Sequence, residues 1–262
     1  MKKVECVIFD WAGTTVDYGC FAPVAAFVKA FEELGITISI EEARSFMGMS
    51  KIDHIRELFK LESVSAQFSR LFSRMWEESD VVTMNQRFEG YLFASLESYT
   101  TPIAGVIATV KELRGAGIKI GSTTGYTNTM MEVVAPAAAS KGYAPDCYVT
   151  SNGLPAGRPA PFMVYQNMIN LAVASLLSVI KIGDTLSDIC EGVNAGVWTV
   201  GVVLGSSELG LTEQEVAALP FEALHCRMKT VREKMLAAGA HYVIDSIDEL
   251  LTIVSIINHK IN

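Results

Sequence analysis

Positive charge is in short supply along this chain: 21 Lys and Arg stand against 29 Asp and Glu in 262 residues, a formal charge of −8. Phosphate backbones are held mainly by Lys and Arg, so this balance argues against a nucleic-acid-wrapping surface. A small anionic substrate remains allowed, because a local site can oppose the global charge. Glycine (20) and proline (8) are too few for a collagen-like or low-complexity chain, and a 50% hydrophobic content is too high for a disordered one. Cysteine is sparse and unpatterned. Cys6, Cys20, Cys147, Cys190 and Cys226 form no CxxC pair, which excludes a zinc site of that kind and a disulfide framework and favours reduced thiols. Long apolar runs are missing as well. The opening run is broken at Asp10 and lacks a signal peptide's h-region, so a cytoplasmic location is expected. The uncharged stretch Pro159–Ile180 contains two prolines, Gln166, Asn167 and Asn170, and reads as a buried helix running into a strand rather than a membrane span.

What is present is a recurrence of short β-branched runs: Val4–Phe9, Ile118–Thr123, Cys147–Thr150, Val179–Ile182, Trp198–Val203 and Tyr242–Ile244. Several are apolar at nearly every residue, as parallel strands buried on both faces are. Helical spacing fills most intervals, over Gly105–Ala116, Thr129–Lys141, Pro161–Leu171 and Ser187–Ala195, which predicts an α/β doubly wound parallel sheet. One interval, Phe21 to Tyr99, shows only helical patterns, such as Val24, Phe27, Val28, Phe31 and Leu34. It is expected to be a helical domain, 21–99, inserted into a core made of 1–20 and 100–262. Gly19 and Pro23 on one side and Thr100-Thr101-Pro102 on the other are the expected helix breakers at its borders.

In an open parallel sheet, ligands sit beyond the carboxyl ends of the strands. The residues there are Asp10, then Thr123-Thr124-Gly125, Arg158, and Gly183-Asp184. Two carboxylates can hold a divalent cation such as Mg²⁺, hydroxyl and backbone N–H groups can cradle phosphoryl oxygens, and an arginine supplies the opposing charge. An aspartate after the first strand can also act as a nucleophile. Asp188, four residues beyond Asp184, is expected to share a helix face with it. Asp17 and Asp53 read as structural caps or hydrogen-bonding groups, and His225, His241 and His259 as structural or solvent-facing.

Phe9-Asp10-Trp11-Ala12-Gly13-Thr14-Thr15-Val16-Asp17, Ser122-Thr123-Thr124-Gly125-Tyr126 and Lys181-Ile182-Gly183-Asp184-Thr185-Leu186-Ser187-Asp188 resemble the ordered motifs of the haloacid dehalogenase superfamily. The resemblance implies a Rossmann-like core, Mg²⁺, a nucleophile at Asp10, phosphate contacts from Thr124, metal coordination by Asp184, and Asp188 behind the metal ligands. The helical insert resembles that superfamily's small cap. Its phosphatases carry a second acid two residues after the nucleophile, and here that position is Ala12. A missing general acid costs on the order of 10²–10⁴ in rate, so ordinary phosphate esters are expected to be poor substrates.

Lys51, in the segment Met47-Gly48-Met49-Ser50-Lys51-Ile52-Asp53-His54, offers another way to stabilise a leaving group. A lysine amine forms a Schiff base with an aldehyde, and the protonated imine accepts the electron pair of a neighbouring bond as it breaks. With Asp10 attacking phosphorus, a carbon–phosphorus bond is cleaved without a protonated oxygen leaving group. Residues 10–23, Met47–His54 and Pro155-Ala156-Gly157-Arg158-Pro159 narrow the resemblance to the carbon–phosphorus-cleaving branch of the superfamily. That branch implies hydrolysis of phosphonoacetaldehyde to acetaldehyde and phosphate by a homodimer paired through its caps. It further implies Arg158 as phosphoryl-binding cation, Asp10, the Ala12 carbonyl and Asp184 as metal ligands, and Met47, His54, Cys20 and Tyr126 as supporting groups near the imine or the proton path. A capped phosphatase or phosphomutase, and a non-catalytic phospho-metabolite-binding protein, are the alternatives.

Overall fold

The computed structural model describes residues 3–47 and 49–261. The chain divides into two compact units, Met1–Cys20 with Thr100–Asn262, and Phe21–Tyr99. Six strands build the larger unit: β1 (Cys6–Phe9), β2 (Lys119–Thr123), β3 (Cys147–Val149), β4 (Val179–Gly183), β5 (Trp198–Val202) and β6 (Tyr242–Ile244). All lie where the apolar runs predict them. They form one parallel sheet in the order β3-β2-β1-β4-β5-β6, with Phe9 opposite Ser122 on one side and Ile182 on the other. The chain builds outward from β1 to β3, then returns to β4 and builds outward to β6. In open parallel sheets such a reversal marks where ligands bind, here beyond the carboxyl ends of β1 and β4.

Every residue of β1 and β4 is buried. On one side Cys6, Ile8 and Val179 pack with Val164 and Met168 of helix Phe162–Asn170. Another cluster joins Ile189, Val203, Leu209, Leu211, Val231 and Met235. Each large aliphatic or aromatic side chain fully buried in this way contributes roughly 1.5–3 kcal/mol. Lys181 is the exception in β4, a fully buried cation in an otherwise apolar strand. His241 has a structural part, its Nδ1 accepting the Thr199 N–H at 3.0 Å. Among the described residues no helix is long and apolar enough to cross a membrane.

Helix Leu186–Ala195 begins two residues after Asp184, so Asp184 and Asp188 do not share a helix face. The helix start brings them near each other instead. Thr185 is the N-cap, its hydroxyl accepting the Asp188 N–H at 3.1 Å and donating to Asp188 Oδ2 at 2.6 Å, a reciprocal cap of the kind that fixes helix entry. The turn back toward β4 is possible because residue 183 is glycine; a Cβ there would lie 2.3 Å from the Asp188 side chain.

The unit Phe21–Tyr99 contains helices Phe21–Glu33, Ile40–Arg44, Lys51–Lys60, Glu62–Phe72 and Glu78–Ser95, ending in a 3₁₀ turn, Leu96–Tyr99. The predicted apolar face of its first helix is buried at Val24, Phe27 and Phe31. Pro23 is not a border residue. It lies inside the first turn of Phe21–Glu33, where its missing N–H has no intrahelical partner to lose. Phe27 stacks on Phe88 at 4.2 Å and meets His54 at 4.1 Å, while Phe59 receives Phe31 and Phe68 at 5.3 and 5.7 Å.

His54 is fully buried in this aromatic core. Burial, with the nearby charge of Lys51, pushes its pKa down to about 3, so the imidazole is neutral. Below about pH 6.5 the unfolded chain binds a proton at this histidine that the folded chain refuses, so stability is lost as pH falls, by at most about 1.4 kcal/mol per pH unit. In urea unfolding, His54→Phe is therefore expected to gain on the wild type between pH 7 and pH 5. A difference between the two proteins that stays constant over that range would refute this assignment.

Candidate active site

Asp10 follows β1 directly, its N–H donating to the Ile182 carbonyl at 2.9 Å. The chain then folds into a tight turn in which the N–H groups of Thr15 and Val16 donate to the Trp11 carbonyl at 2.8 and 3.0 Å. Trp11 anchors the turn, fully buried with edge-on rings of Tyr143 and Tyr148 at 5.2 and 6.2 Å. Gly13 has φ +89°, and a Cβ on it would lie 2.2 Å from Asp184 Oδ2. Both the backbone conformation and the close approach thus require glycine. Asp184 accepts the Ser207 N–H on Oδ2 at 2.7 Å and the Thr14 hydroxyl on Oδ1 at 3.3 Å. Carboxylate oxygens of Asp10, Asp184 and Asp188, all buried, lie within 4.8 Å of one another.

Arg158, from the loop after β3, enters the same cluster with its side chain 7% exposed. Its Nη2 donates to Asp10 Oδ1 at 2.5 Å and to Thr123 Oγ1 at 2.8 Å, and its Nε donates to Glu191 Oε2 at 3.0 Å. Nη1 stands 3.0 Å from Asp188 Oδ1. Lys181 donates to Asp188 Oδ1 at 2.7 Å and lies 3.6 Å from Glu191. Burial raises the Asp10 carboxyl above its ordinary range even against the pull of Arg158. Burial and the charges of Asp10 and Asp188 raise Asp184 further. Burial opposes ionisation of Asp188 too, but Arg158 and Lys181 outweigh it and hold that carboxyl low.

Four buried carboxylates, Asp10, Asp184, Asp188 and Glu191, thus face two buried cations, Arg158 and Lys181. Oxygen-rich and short of positive charge, with the Asp10 and Asp184 carboxyls raised by burial, this donor set suits a hard divalent cation.

Thr124 and Tyr126 are buried beyond β2, the Thr124 hydroxyl accepting the Tyr126 N–H at 3.1 Å, and Gly125 between them is exposed. Burial raises the Tyr126 phenol well above its ordinary value, so it is a neutral hydroxyl. Ala12 bridges Val16 within the Asp10 turn, and Cys20 is buried with φ +54° at the end of the larger unit's first segment. In the helical unit, Lys51 is the first residue of its helix and Ser50 the cap, accepting the Asp53 N–H. Lys51 stands 5.9 Å from the Phe27 ring, Met47 is half-buried, and Gly48 lies outside the described residues. Lys181, Glu191, Thr14 and the Ser207 N–H were not foreseen as parts of the site. A lysine inside an otherwise apolar strand, and a glutamate three residues after Asp188, were the available signals for the first two.

Residues 4–196 match the haloacid dehalogenase-like hydrolases. The chain belongs to that family. Phosphonoacetaldehyde hydrolase of Bacteroides fragilis is 58% identical to it over the full length of both chains, and phosphonoacetaldehyde hydrolase of Bacillus cytotoxicus is 52% identical over 98% of each. The crystal structure of a phosphonoacetaldehyde hydrolase-like protein from Oleispira antarctica superposes with a TM-score of 0.94 at 34% identity, covering 98% of this chain and 93% of that one.

For this hydrolase, Mg²⁺ is expected to raise the melting temperature, since a ligand held only by the folded state stabilises it. Asp184→Asn and Gly13→Ala are both expected to lose that rise, the second by displacing Asp184. Melts with and without Mg²⁺ check this; a rise retained in Asp184→Asn would remove the residue from the metal site.

Proposed function

We propose that this hydrolase cleaves the carbon–phosphorus bond of phosphonoacetaldehyde, giving acetaldehyde and phosphate through a Schiff base at Lys51 and an aspartyl-phosphate at Asp10. The observation that carries the reading is Ala12: a site otherwise furnished for phosphoryl transfer has no carboxylic acid where a leaving alcohol would need one. A carbon leaving group needs an electron sink instead, and Lys51 can provide it. The names of the full-length relatives from Bacteroides fragilis and Bacillus cytotoxicus support the same substrate.

In the proposed reaction the Lys51 ammonium gives up a proton, its amine adds to the aldehyde carbon, and that proton leaves with the carbonyl oxygen as water, forming an iminium. Asp10 attacks phosphorus, and the pair of the breaking carbon–phosphorus bond moves onto the iminium to give an enamine. Protonation at carbon gives the imine of acetaldehyde; one water releases acetaldehyde and restores Lys51, and another hydrolyses the aspartyl-phosphate. Arg158 and Thr124 bind the phosphoryl oxygens. His54, neutral and three residues along the helix from Lys51, and Tyr126, a neutral phenol, support proton movement; Cys20 and Met47 are supporting groups. Asp10, Asp184 and the Ala12 carbonyl, with Asp188 behind them, would hold Mg²⁺, which when bound would supply positive charge to offset that of the phosphoryl group.

Borohydride reduction with phosphonoacetaldehyde is expected to leave a stable adduct on Lys51, located by peptide mapping, and turnover without that adduct would end the imine mechanism. Lys51→Arg keeps the charge but forms no imine, so release of acetaldehyde and phosphate is expected to fall below detection. Faster turnover of phosphate esters than of phosphonoacetaldehyde would instead indicate a phosphatase or phosphomutase.

The proposal includes a homodimer formed through the helical unit, where Leu71, Phe72 and Met75 are 51%, 41% and 64% exposed. Light scattering is expected to give twice the chain mass, and Leu71→Glu with Met75→Glu the single mass.

A further inference from the structure

Glu191 is a fully buried carboxylate from helix Leu186–Ala195 for which the reaction above has no use. All its hydrogen bonds fall on one oxygen: Oε2 accepts the Thr123 hydroxyl at 3.0 Å and Arg158 Nε at 3.0 Å, while Oε1 has no hydrogen-bond partner. Thr123 Oγ1 in turn accepts Arg158 Nη2 at 2.8 Å. Arg158 Nε, Glu191 Oε2, Thr123 Oγ1 and Arg158 Nη2 therefore close a ring of three hydrogen bonds, built from a helix, the end of β2 and the loop after β3.

The ring has a consequence for Asp10. A guanidinium is a rigid planar fork whose Nε and Nη2 edge matches a carboxylate with two parallel bonds. Were that edge free, Arg158 would be drawn to clamp both oxygens of the nearest carboxylate. With Glu191 holding Nε and Asp188 Oδ1 3.0 Å from Nη1, Arg158 hydrogen-bonds Asp10 through Nη2 alone, on Oδ1. Asp10 is touched but not clamped, and keeps an oxygen for attack. Lys181, 3.6 Å from Glu191 Oε2 and bonded to Asp188, helps compensate the buried charge.

We propose that Glu191 is a positioning residue that, with Thr123, fixes the plane of the Arg158 guanidinium so that Arg158 serves the phosphoryl group without sequestering the Asp10 carboxylate. The inference rests on Arg158 as the phosphoryl-binding cation but not on carbon–phosphorus cleavage.

The test is a double-mutant cycle read by calorimetric binding of inorganic phosphate in the presence of Mg²⁺, on Glu191→Ala, Arg158→Ala and the double variant, with thermal melts to establish folding. Charge-assisted hydrogen bonds of this kind support a loss of about 10- to 100-fold in phosphate affinity for Arg158→Ala. Glu191→Ala is expected to lose about 5- to 20-fold, and the double variant no more than about 2-fold beyond Arg158→Ala, because residues acting as one unit are not additive. If Glu191→Ala does not fold, Glu191→Gln, which keeps a neutral acceptor of the same shape, takes its place in the cycle with a smaller loss in the same direction. In steady-state kinetics on phosphonoacetaldehyde, the Glu191 variant is expected to lower kcat as well as raise KM, since Asp10 is then clamped.

Full additivity in the cycle, or unchanged phosphate affinity in the Glu191 variant, would overturn the proposal. A wild-type protein that binds phosphate as described yet releases no acetaldehyde from phosphonoacetaldehyde would overturn the proposed function and leave this inference standing.

Discussion

The interaction on which the site depends is the insertion of one guanidinium into a nest of buried carboxylates. Arg158 lies among Asp10, Asp188 and Glu191, with Lys181 as the only other buried cation there among the described residues. Removing ions from water carries a large desolvation cost, and only dense pairing with good geometry offsets it. Remaining charge imbalance does not vanish. It is displaced toward Asp10 and Asp184, whose carboxyls burial holds high, and that displacement defines where an added cation is stabilising. The dense pairing on one side of the cluster and the excess carboxylate charge on the other have the same electrostatic origin.

The sheet explains why these groups meet at all. Asp10 and Asp184 end the two strands between which the strand order reverses, so no crossover connection covers that edge. Around them, small features of backbone set distances that side chains cannot. Gly13 lets its turn come up against Asp184, Gly183 lets Asp188 fold back, and the Thr185 cap places Asp188 by hydrogen bonding to it from both directions. The helical unit is organised differently, by aromatic packing around Phe27 and Phe59. Its buried His54 has a neutral imidazole because a charged one would be desolvated without compensation.

Much of the core is legible because parallel strands buried on both faces leave short, β-branched apolar runs, whose length and composition separate them from buried helices. The six strands and the helices between them follow from those runs and from the 3.6-residue spacing. Where the reading erred, local context overrode it. Pro23 reads as a helix breaker, yet the first turn of a helix tolerates proline; the four-residue spacing of Asp184 and Asp188 reads as one helix face, yet the helix cap lies one residue beyond Asp184.

By itself the sequence determined the chemistry at the strand ends: carboxylates at Asp10 and Asp184, hydroxyls at Thr123 and Thr124, a cation at Arg158, and no acid at Ala12. Those are properties of residue type and of order along the chain, and the motifs preserve both. Only the tertiary structure decided which oxygen each group bonds. The Ser207 N–H on Asp184 leaves no mark in sequence, since every residue but proline carries that donor. Nor could spacing reveal that Glu191 and Thr123, 68 residues apart, close a ring on Arg158. Such pairings depend on the register of β1, β2 and β4 and on burial, which fix distances to tenths of an ångström that one-dimensional order does not encode.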